Sequence, residues 1–400
     1  MPRLIYILFC ITLPATLLLS CAKPGASTGS PASVSMPNTT NKTALRIYNT
    51  LPVYAAAAKK PWTPIVMRVP LKKGGADNRI PEIRERLVAL QMLPTTDQSN
   101  STVYDPLLVN AVTEFQLCNG LKPTGVINQD TLNALNVPPS ERYYELAKAM
   151  YAWARYPQDA NSRYIQVNIP SYQMTLIDRG EEKIEMKVIV GRPSRPTPTL
   201  SSSVTTIVFN PSWNVPETIL EKDVIPGMRA NPNYLKEHYD MHIYTSYDKN
   251  ATEINPTSID WQTATAKNFR YRVSAPPSAV NPLGRVKFIF ANDHDVYMHD
   301  TPEKSLFSLT DRARSSGCIR LEDPMALVHY FYADNSDLNE PLVNQYLSTY
   351  QTKYIQLKNA LPVYVTYITA WVDADGYAHF ARDVYHNEDE TVTGEKNLIA

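Results

Sequence analysis

Between positions 80 and 156 the apolar residues recur at helical spacing. Ile83, Leu87 and Leu90 share one face, Leu108, Ala111, Val112 and Phe115 a second, and Leu132 and Leu135 follow Thr131 in a third. Pro81 and Asp105-Pro106 stand where helix starts are favoured, and Asn119-Gly120 where one ends. Leu146, Met150 and Trp153 put a fourth helix on residues 141–156. After that the period drops to two. Ile165, Val167 and Ile169 alternate with polar residues, Met174 and Leu176 continue beyond Pro170, and Ile184, Met186, Val188 and Val190 alternate again past the turn Asp178-Arg179-Gly180. That is a β-hairpin opening a mainly β domain. Residues 204–209, 286–290 and 296–299 read as further strands, the last two joined by Asn292-Asp293-His294-Asp295. Helical patterns are expected at 219–228, 231–238, 324–333 and 337–359, and a closing β pair at 361–372 and 377–383 around Asp373-Ala374-Asp375-Gly376.

The N-terminus changes the picture from a cytosolic chain to an exported one. Pro2-Arg3 is followed by an almost wholly apolar run from Leu4 to Leu19, the length of a signal-peptide core and short for a membrane span. Leu18-Leu19-Ser20-Cys21 resembles a bacterial lipobox, which implies lipidation of Cys21; an ordinary signal peptide cut nearby is the alternative. The absence of Asp after Cys21 favours an outer-membrane anchor over the inner membrane. Residues 22–60, rich in Ser, Thr, Pro, Asn and Ala, are expected to be a flexible tether. Charge is balanced at 39 basic and 39 acidic residues, which gives nucleic-acid binding no electrostatic support. The 32 Pro and 25 Tyr suit a loop-rich β-containing chain better than a helical bundle. With Cys10 and Cys21 at the leader, only Cys118 and Cys318 remain, so no disulfide framework is expected; Cys118 reads as core.

One stretch carries chemistry: VYMHDTPEKSLFSLTDRARSSGCIRLEDP, residues 296–324. It places His299 at a strand end, where a sheet fixes its direction, and Cys318 after Ser315-Ser316-Gly317. A thiol attacks a carbonyl as thiolate and needs a base or positive charge nearby, and backbone N–H groups aimed at the oxyanion. Small residues before the cysteine let a carbonyl approach. A zinc site of His294, His299 and Cys318 fits no common ligand spacing, so neither metal nor cofactor is expected. A papain-like protease is disfavoured by residue order, since there the Cys precedes the His.

His299, Ser315, Ser316, Gly317, Cys318 and Arg320 resemble the signature of the L,D-transpeptidase catalytic domain (YkuD-type): a His, then Ser/Thr-His-Gly-Cys, then Arg or Asn two residues on. Ser316 stands where most of the family has a second His, as in its larger, YcbB-like branch. The resemblance implies a β-sandwich-like catalytic domain over 161–335 with a capping insertion at about 216–280, completed by a C-terminal helix and β-hairpin within 336–400. It implies Cys318 as nucleophile, His299 as general base and acid, and Ser316, Gly317, Arg320 and Tyr297 around the oxyanion and substrate. Arg320 is expected either to neutralise a substrate carboxylate or to hold the Cys loop, and Tyr297 to face the other side of the sheet from His299. Asp300 is not expected to be a required base, and Trp213-Asn214 are expected to be structural. The implied substrates are peptidoglycan stem peptides, a tetrapeptide donor and a diamino-acid amine acceptor.

Phe115-Gln116, Gly120-Leu121, Gly125-Val126-Ile127 and Thr131 to Leu135 resemble the peptidoglycan-binding type 1 module, placing it at 61–137 with a linker helix at 138–160. Phe115, Leu121 and Leu135 read as fold-building residues. Three functions follow: a transpeptidase forming 3→3 cross-links, a carboxypeptidase or hydrolase using water at the same site, and a wall-binding scaffold, which an intact His299 and Cys318 oppose.

Overall fold

The computed structural model describes residues 34–94, 96, 100–248 and 250–386. The expected leader, with Cys21, lies outside them. Inside them the expected tether fails in part: residues Lys42–Ala57 form a helix, α1. Its Ala44, Ile47, Leu51 and Tyr54 lie on one buried face, at a spacing concealed by the surrounding Ser, Thr and Pro. Asn41 caps it by accepting from Ala44 N, and Asn41 Nδ2 donates to Tyr156 O at 2.6 Å.

The helical module holds α2 (Ile80–Ala89), α3 (Pro106–Cys118) and α4 (Gln129–Asn136) around Ile83, Leu87, Leu108, Val112, Phe115, Ile127 and Leu135. Asp105 and Asn128 cap α3 and α4. Gln116 is buried and fully bonded. Its Oε1 accepts from Thr124 N and Gly125 N, and its Nε2 donates to Val126 O and Thr131 Oγ1. Helix α5 (Pro139–Trp153) follows, packing Tyr143, Leu146 and Met150 on α1.

The catalytic-type domain begins with β1 (Arg163–Asn168), β2 (Gln173–Asp178), β3 (Glu181–Gly191) and β4 (Leu200–Phe209). An insertion follows: β5 (Trp213–Asn214), α6 (Glu217–Ile219), a π turn at Leu220–Val224, α7 (Ile225–Ala230), α8 (Tyr234–Glu237), β6 (His242–Tyr244), β7 (Glu253–Ile254) and β8 (Arg272–Ala275). The chain returns through β9 (Val286–Phe290), β10 (Met298–His299), β11 (Ala313–Ser315), β12 (Ile319–Leu321), α9 (Pro324–Tyr330), α10 (Glu340–Ser348) and β13 (Lys353–Thr366). It then forms a hairpin, β14 (Ala370–Val372) and β15 (Ala378–Phe380).

Nine strands make one sheet in the order β11-β3-β12-β10-β9-β4-β13-β1-β2, and a further β3–β2 pairing closes it on itself. The sandwich-like expectation is thus realised as a single curled sheet. Its interior is filled by Val167, Met174, Val188, Val190, Phe209, Phe288, Met298, Ile319 and Val363, with Leu327 and Val328 of α9. The insertion has its own four-stranded sheet, β5-β8-β6-β7, and its own core around Trp213, Ile225, Ile243, Trp261 and Val273. The expected capping insertion is thus a folded subdomain.

Two expectations at the C-terminal end are corrected. The helical pattern over 337–359 holds only for α10; β13 begins at Lys353, where Tyr354, Ile355, Val363, Tyr364, Val365 and Thr366 favour a strand. Residues 361–366 therefore belong to the main sheet, and only β14 and β15 form the closing hairpin. That hairpin packs Ala370, Val372, Ala378 and Phe380 on α1 and α5 instead of completing the catalytic domain.

Candidate active site

Strand β10 lies between β9 and β12. In the parallel pairing with β12, Met298 meets Ile319 and His299 meets Arg320; in the antiparallel pairing with β9, His299 meets Lys287. Side chains alternate, so Met298, Ile319 and Phe288 fill the core while Lys287, His299 and Arg320 share the opposite face. Tyr297 is two residues from His299 and lies on that same face, its ring centre 5.6 Å from the imidazole. The expectation that it faces away is wrong by one step of the alternation.

Cys318 sits one residue before β12, which is anchored by Ile319 N donating to Tyr297 O at 3.0 Å. Its thiol is partly exposed and unpaired with any other cysteine. The sulfur lies 3.8 Å from Asp295 O and also meets the hydroxyl and backbone of Tyr297. No hydrogen bond joins it to His299 among the described residues. Burial pushes the thiol up from its ordinary value; Tyr297, Lys287 and Arg320 pull it back down.

His299 is buried, and its Nδ1 faces the backbone carbonyl of Asp300. A carbonyl only accepts, so Nδ1 carries the hydrogen and Nε2 is left with a free lone pair. Burial, with Arg320, Lys287 and Lys304 acting in the same direction, holds the imidazole down at about 3. Its neighbour Asp300 is occupied elsewhere: one oxygen accepts from Arg285 N at 2.8 Å and the other pairs with Lys304 at 2.8 Å. That occupation suits a structural residue.

The loop before Cys318 is braced from several sides. Gly317 has φ +117, a conformation other residues rarely adopt. Ser315 Oγ donates to Cys318 O at 2.6 Å and accepts from Gly317 N at 3.2 Å. Thr197 Oγ1 donates to Gly317 O at 2.7 Å and accepts from Gly191 N at 2.8 Å. Gly191 tolerates no side chain, since a Cβ would stand 2.2 Å from Arg195 O. Tyr385, beyond the hairpin, donates to Gly191 O at 2.6 Å.

Ser316 points its hydroxyl at two arginines, Arg195 Nη1 at 3.0 Å and Arg192 Nη2 at 3.4 Å. Arg195 in turn makes a two-pronged ion pair with Asp223 in the π turn of the insertion. Arg320 pairs with Glu303 and meets the hydroxyl of Tyr239, also from the insertion. These contacts tie Arg320 to Glu303 and to the insertion, and neither goes to the loop of Cys318. Trp213 is buried in the insertion core, yet it also bonds the Tyr297 hydroxyl beside the sulfur.

Lys287, Arg192, Arg195 and Tyr239 were not singled out by the sequence. Lys287 has a legible signal: Val286, Phe288 and Phe290 face the core, so Lys287 must share the face of His299 across the hairpin. Its ammonium lies 3.5 Å from the centre of the Tyr297 ring, and burial lowers its pKa. The arginines approach from a distant loop and left no local trace.

Two family models match successive parts of the chain. Residues 162–338 match the family described as "YkuD: L,D-transpeptidase catalytic domain", and residues 76–135 the "Putative peptidoglycan binding domain". A curated "Putative L,D-transpeptidase" of Haemophilus influenzae is 36% identical over 210 residues, 52% of this chain; the chain spans 41% of that relative's length. Among solved structures, an L,D-transpeptidase from Mycobacterium smegmatis is similar at 14% identity and TM-score 0.25, covering 51% of this chain and 59% of that one. The catalytic domain of the E. faecium L,D-transpeptidase acylated by ertapenem is similar at 14% identity and TM-score 0.22, covering 51% of this chain and 95% of that one. Residues 162–338 are therefore an L,D-transpeptidase catalytic domain, and a peptidoglycan-binding-type module precedes them at 76–135.

Proposed function

We propose that the chain is an envelope L,D-transpeptidase that forms 3→3 cross-links between peptidoglycan stem peptides through a thioester on Cys318. The observation that carries this reading is the imidazole of His299: its Nδ1–H is fixed on Asp300 O, and its bare Nε2 belongs to the face that carries Cys318. A neutral imidazole beside a protonated thiol is a resting pair, and catalytic hydrogen bonds of this kind tighten when substrate binds.

The thiol proton passes to His299 Nε2 as Sγ attacks the carbonyl of the third residue of a donor tetrapeptide. Gly317 N–H is already bonded to Ser315 Oγ, whereas the N–H groups of Ser316 and Cys318 have no acceptor among the described residues. Those two N–H groups receive the developing oxyanion. Collapse breaks the C–N bond, His299 returns the proton to the leaving amine, and D-alanine departs. A side-chain amine of a second stem peptide then gives a proton to His299, attacks the thioester, forms the new amide and releases the thiol. The Tyr297 hydroxyl and the Lys287 ammonium steady negative charge on sulfur in both half-reactions.

The insertion, linked to the site through Arg195–Asp223, Arg320–Tyr239 and Trp213–Tyr297, keeps water from the thioester while the amine is held near. The apolar leader and the lipobox-like Leu18-Leu19-Ser20-Cys21 support a site of action in the bacterial envelope, with lipid on Cys21 as the anchor in this reading. To test the reading, the purified protein is incubated with tetrapeptide-bearing muropeptides and the products are weighed by mass spectrometry. A dimer that has lost one D-alanine is expected; tripeptide without dimer would assign the site to hydrolysis instead.

A further inference from the structure

We propose that Arg192 is the carboxylate-binding residue of the donor subsite, taking the C-terminal carboxylate of the stem peptide whose third-residue carbonyl lies at Cys318. The assignment rests on the transpeptidase reading above and adds the group that reads the end of the donor.

Four cationic side chains near the loop of Cys318 have committed partners. Arg320 pairs with Glu303 and Tyr239. Lys304 pairs with Asp300 at 2.8 Å and donates to Glu322 O at 2.7 Å. Lys287 is stacked on the Tyr297 ring. Arg195 is held by both oxygens of Asp223, and its side chain is only 12% exposed. Arg192 differs from all four. Its side chain is 40% exposed, and its guanidinium makes two long contacts, 3.4 Å to Ser316 Oγ and 3.9 Å to Asp223 Oδ1. Its backbone, by contrast, is fixed: Arg192 N donates to Ser315 O at 3.0 Å, and Arg192 O accepts from Arg195 N at 2.8 Å.

The charge count around Ser316 also points to an anion. Two guanidinium groups converge on one neutral hydroxyl, and a single carboxylate, Asp223, opposes them. One positive charge is left over at the hydroxyl of Ser316, which precedes the nucleophile by two residues. A guanidinium presents a planar fork that matches a carboxylate. In a tetrapeptide the terminal carboxylate belongs to the residue just beyond the attacked carbonyl. A fifth residue would move it outward by about 3.8 Å, one Cα step, and leave an uncharged amide in its place. Arg192 thereby favours a four-residue donor with a free acid end over a longer or capped one.

The test compares two soluble donors, a tetrapeptide ending in D-alanine and the same peptide ending in D-alaninamide, on the wild-type chain and on R192Q and R192K. Wild type should prefer the free acid in kcat/KM by about ten- to hundredfold, the range for a hydrogen bond to a charged group. R192Q should lose most of that preference through KM, and R192K should keep part of it. Alkylation of Cys318 by neutral iodoacetamide should match in all three, which reports an intact site. A wild type without acid preference, or an R192Q that retains the full preference, overturns the assignment. A wild type that consumes neither donor overturns the transpeptidase reading itself, and the assignment with it.

Discussion

The helical module and the face of β10 and β12 each contain a run of residues that matches a known family, but they use their polar groups differently. In the module, the side chain of Gln116 satisfies two backbone N–H groups, one carbonyl and one hydroxyl, all within its own fold. On the sheet face, His299 Nε2 and the Arg192 guanidinium keep capacity that the fold does not use, and the Cys318 sulfur is tied into no disulfide. A motif whose polar groups are saturated internally builds architecture. One whose polar groups converge and stay open carries chemistry.

That contrast can be broken experimentally. Cys318→Ala should abolish turnover of muropeptides, a loss of at least about 10^4-fold, with an unchanged melting temperature. Near wild-type activity in that variant would end the mechanism. His299→Gln should lower the rate by about 10^2- to 10^4-fold, the range for general acid–base catalysis. It should also change the acid limb of stability. The folded imidazole is held at about 3 and the unfolded one titrates near 6.5, so between those pH values the unfolded chain binds more protons. Wild-type stability should therefore fall as pH drops from about 6.5 towards 3, by up to about 1.4 kcal/mol per pH unit from this group. Denaturant melts of the variant across that window should show a shallower slope; identical slopes would mean His299 is not buried neutral.

On the architectural side, Gln116→Leu strands Thr124 N and Gly125 N and should cost the module about 2–3 kcal/mol. Its turnover of soluble donors should stay at the wild-type level, and a parallel loss of turnover would blur the distinction between the two regions. The smallest effect is expected for Tyr297→Phe, which removes one hydrogen bond at the sulfur. Acylation should slow about three- to tenfold with KM unchanged, as stopped-flow acylation kinetics would show.

Much of this arrangement was legible in the sequence where signals are local. The alternation at 165–169 and 184–190 and the helix start at Asp105-Pro106 depend on neighbours a few positions apart. What escaped depends on distant partners. The Ile47, Leu51 and Tyr54 stripe becomes a helix because α5 and a hairpin 320 residues away in the chain cover it. Residues 353–359 read as the end of a helix, whereas pairing with β4 draws Lys353 to Gln356 into the main sheet. Ser316 read as a missing imidazole; the structure shows it receiving Arg192 and Arg195 from a loop over 120 positions earlier. Tyr297 was misplaced by a count along one strand, an error that the register with β12 corrects.

The most direct test of an activated Cys318 uses the second cysteine as an internal control. Cys118 is buried among the helices of the module, with its thiol shifted strongly upward by burial and Glu114. The intact mass of the protein is measured after exposure to a carbapenem, whose strained lactam acylates nucleophilic thiols, and the modified peptide is mapped. The account predicts one adduct, on the peptide carrying Cys318, none on the peptide carrying Cys118, and none in Cys318→Ala. An unmodified mass, or an adduct that survives in Cys318→Ala, would contradict it.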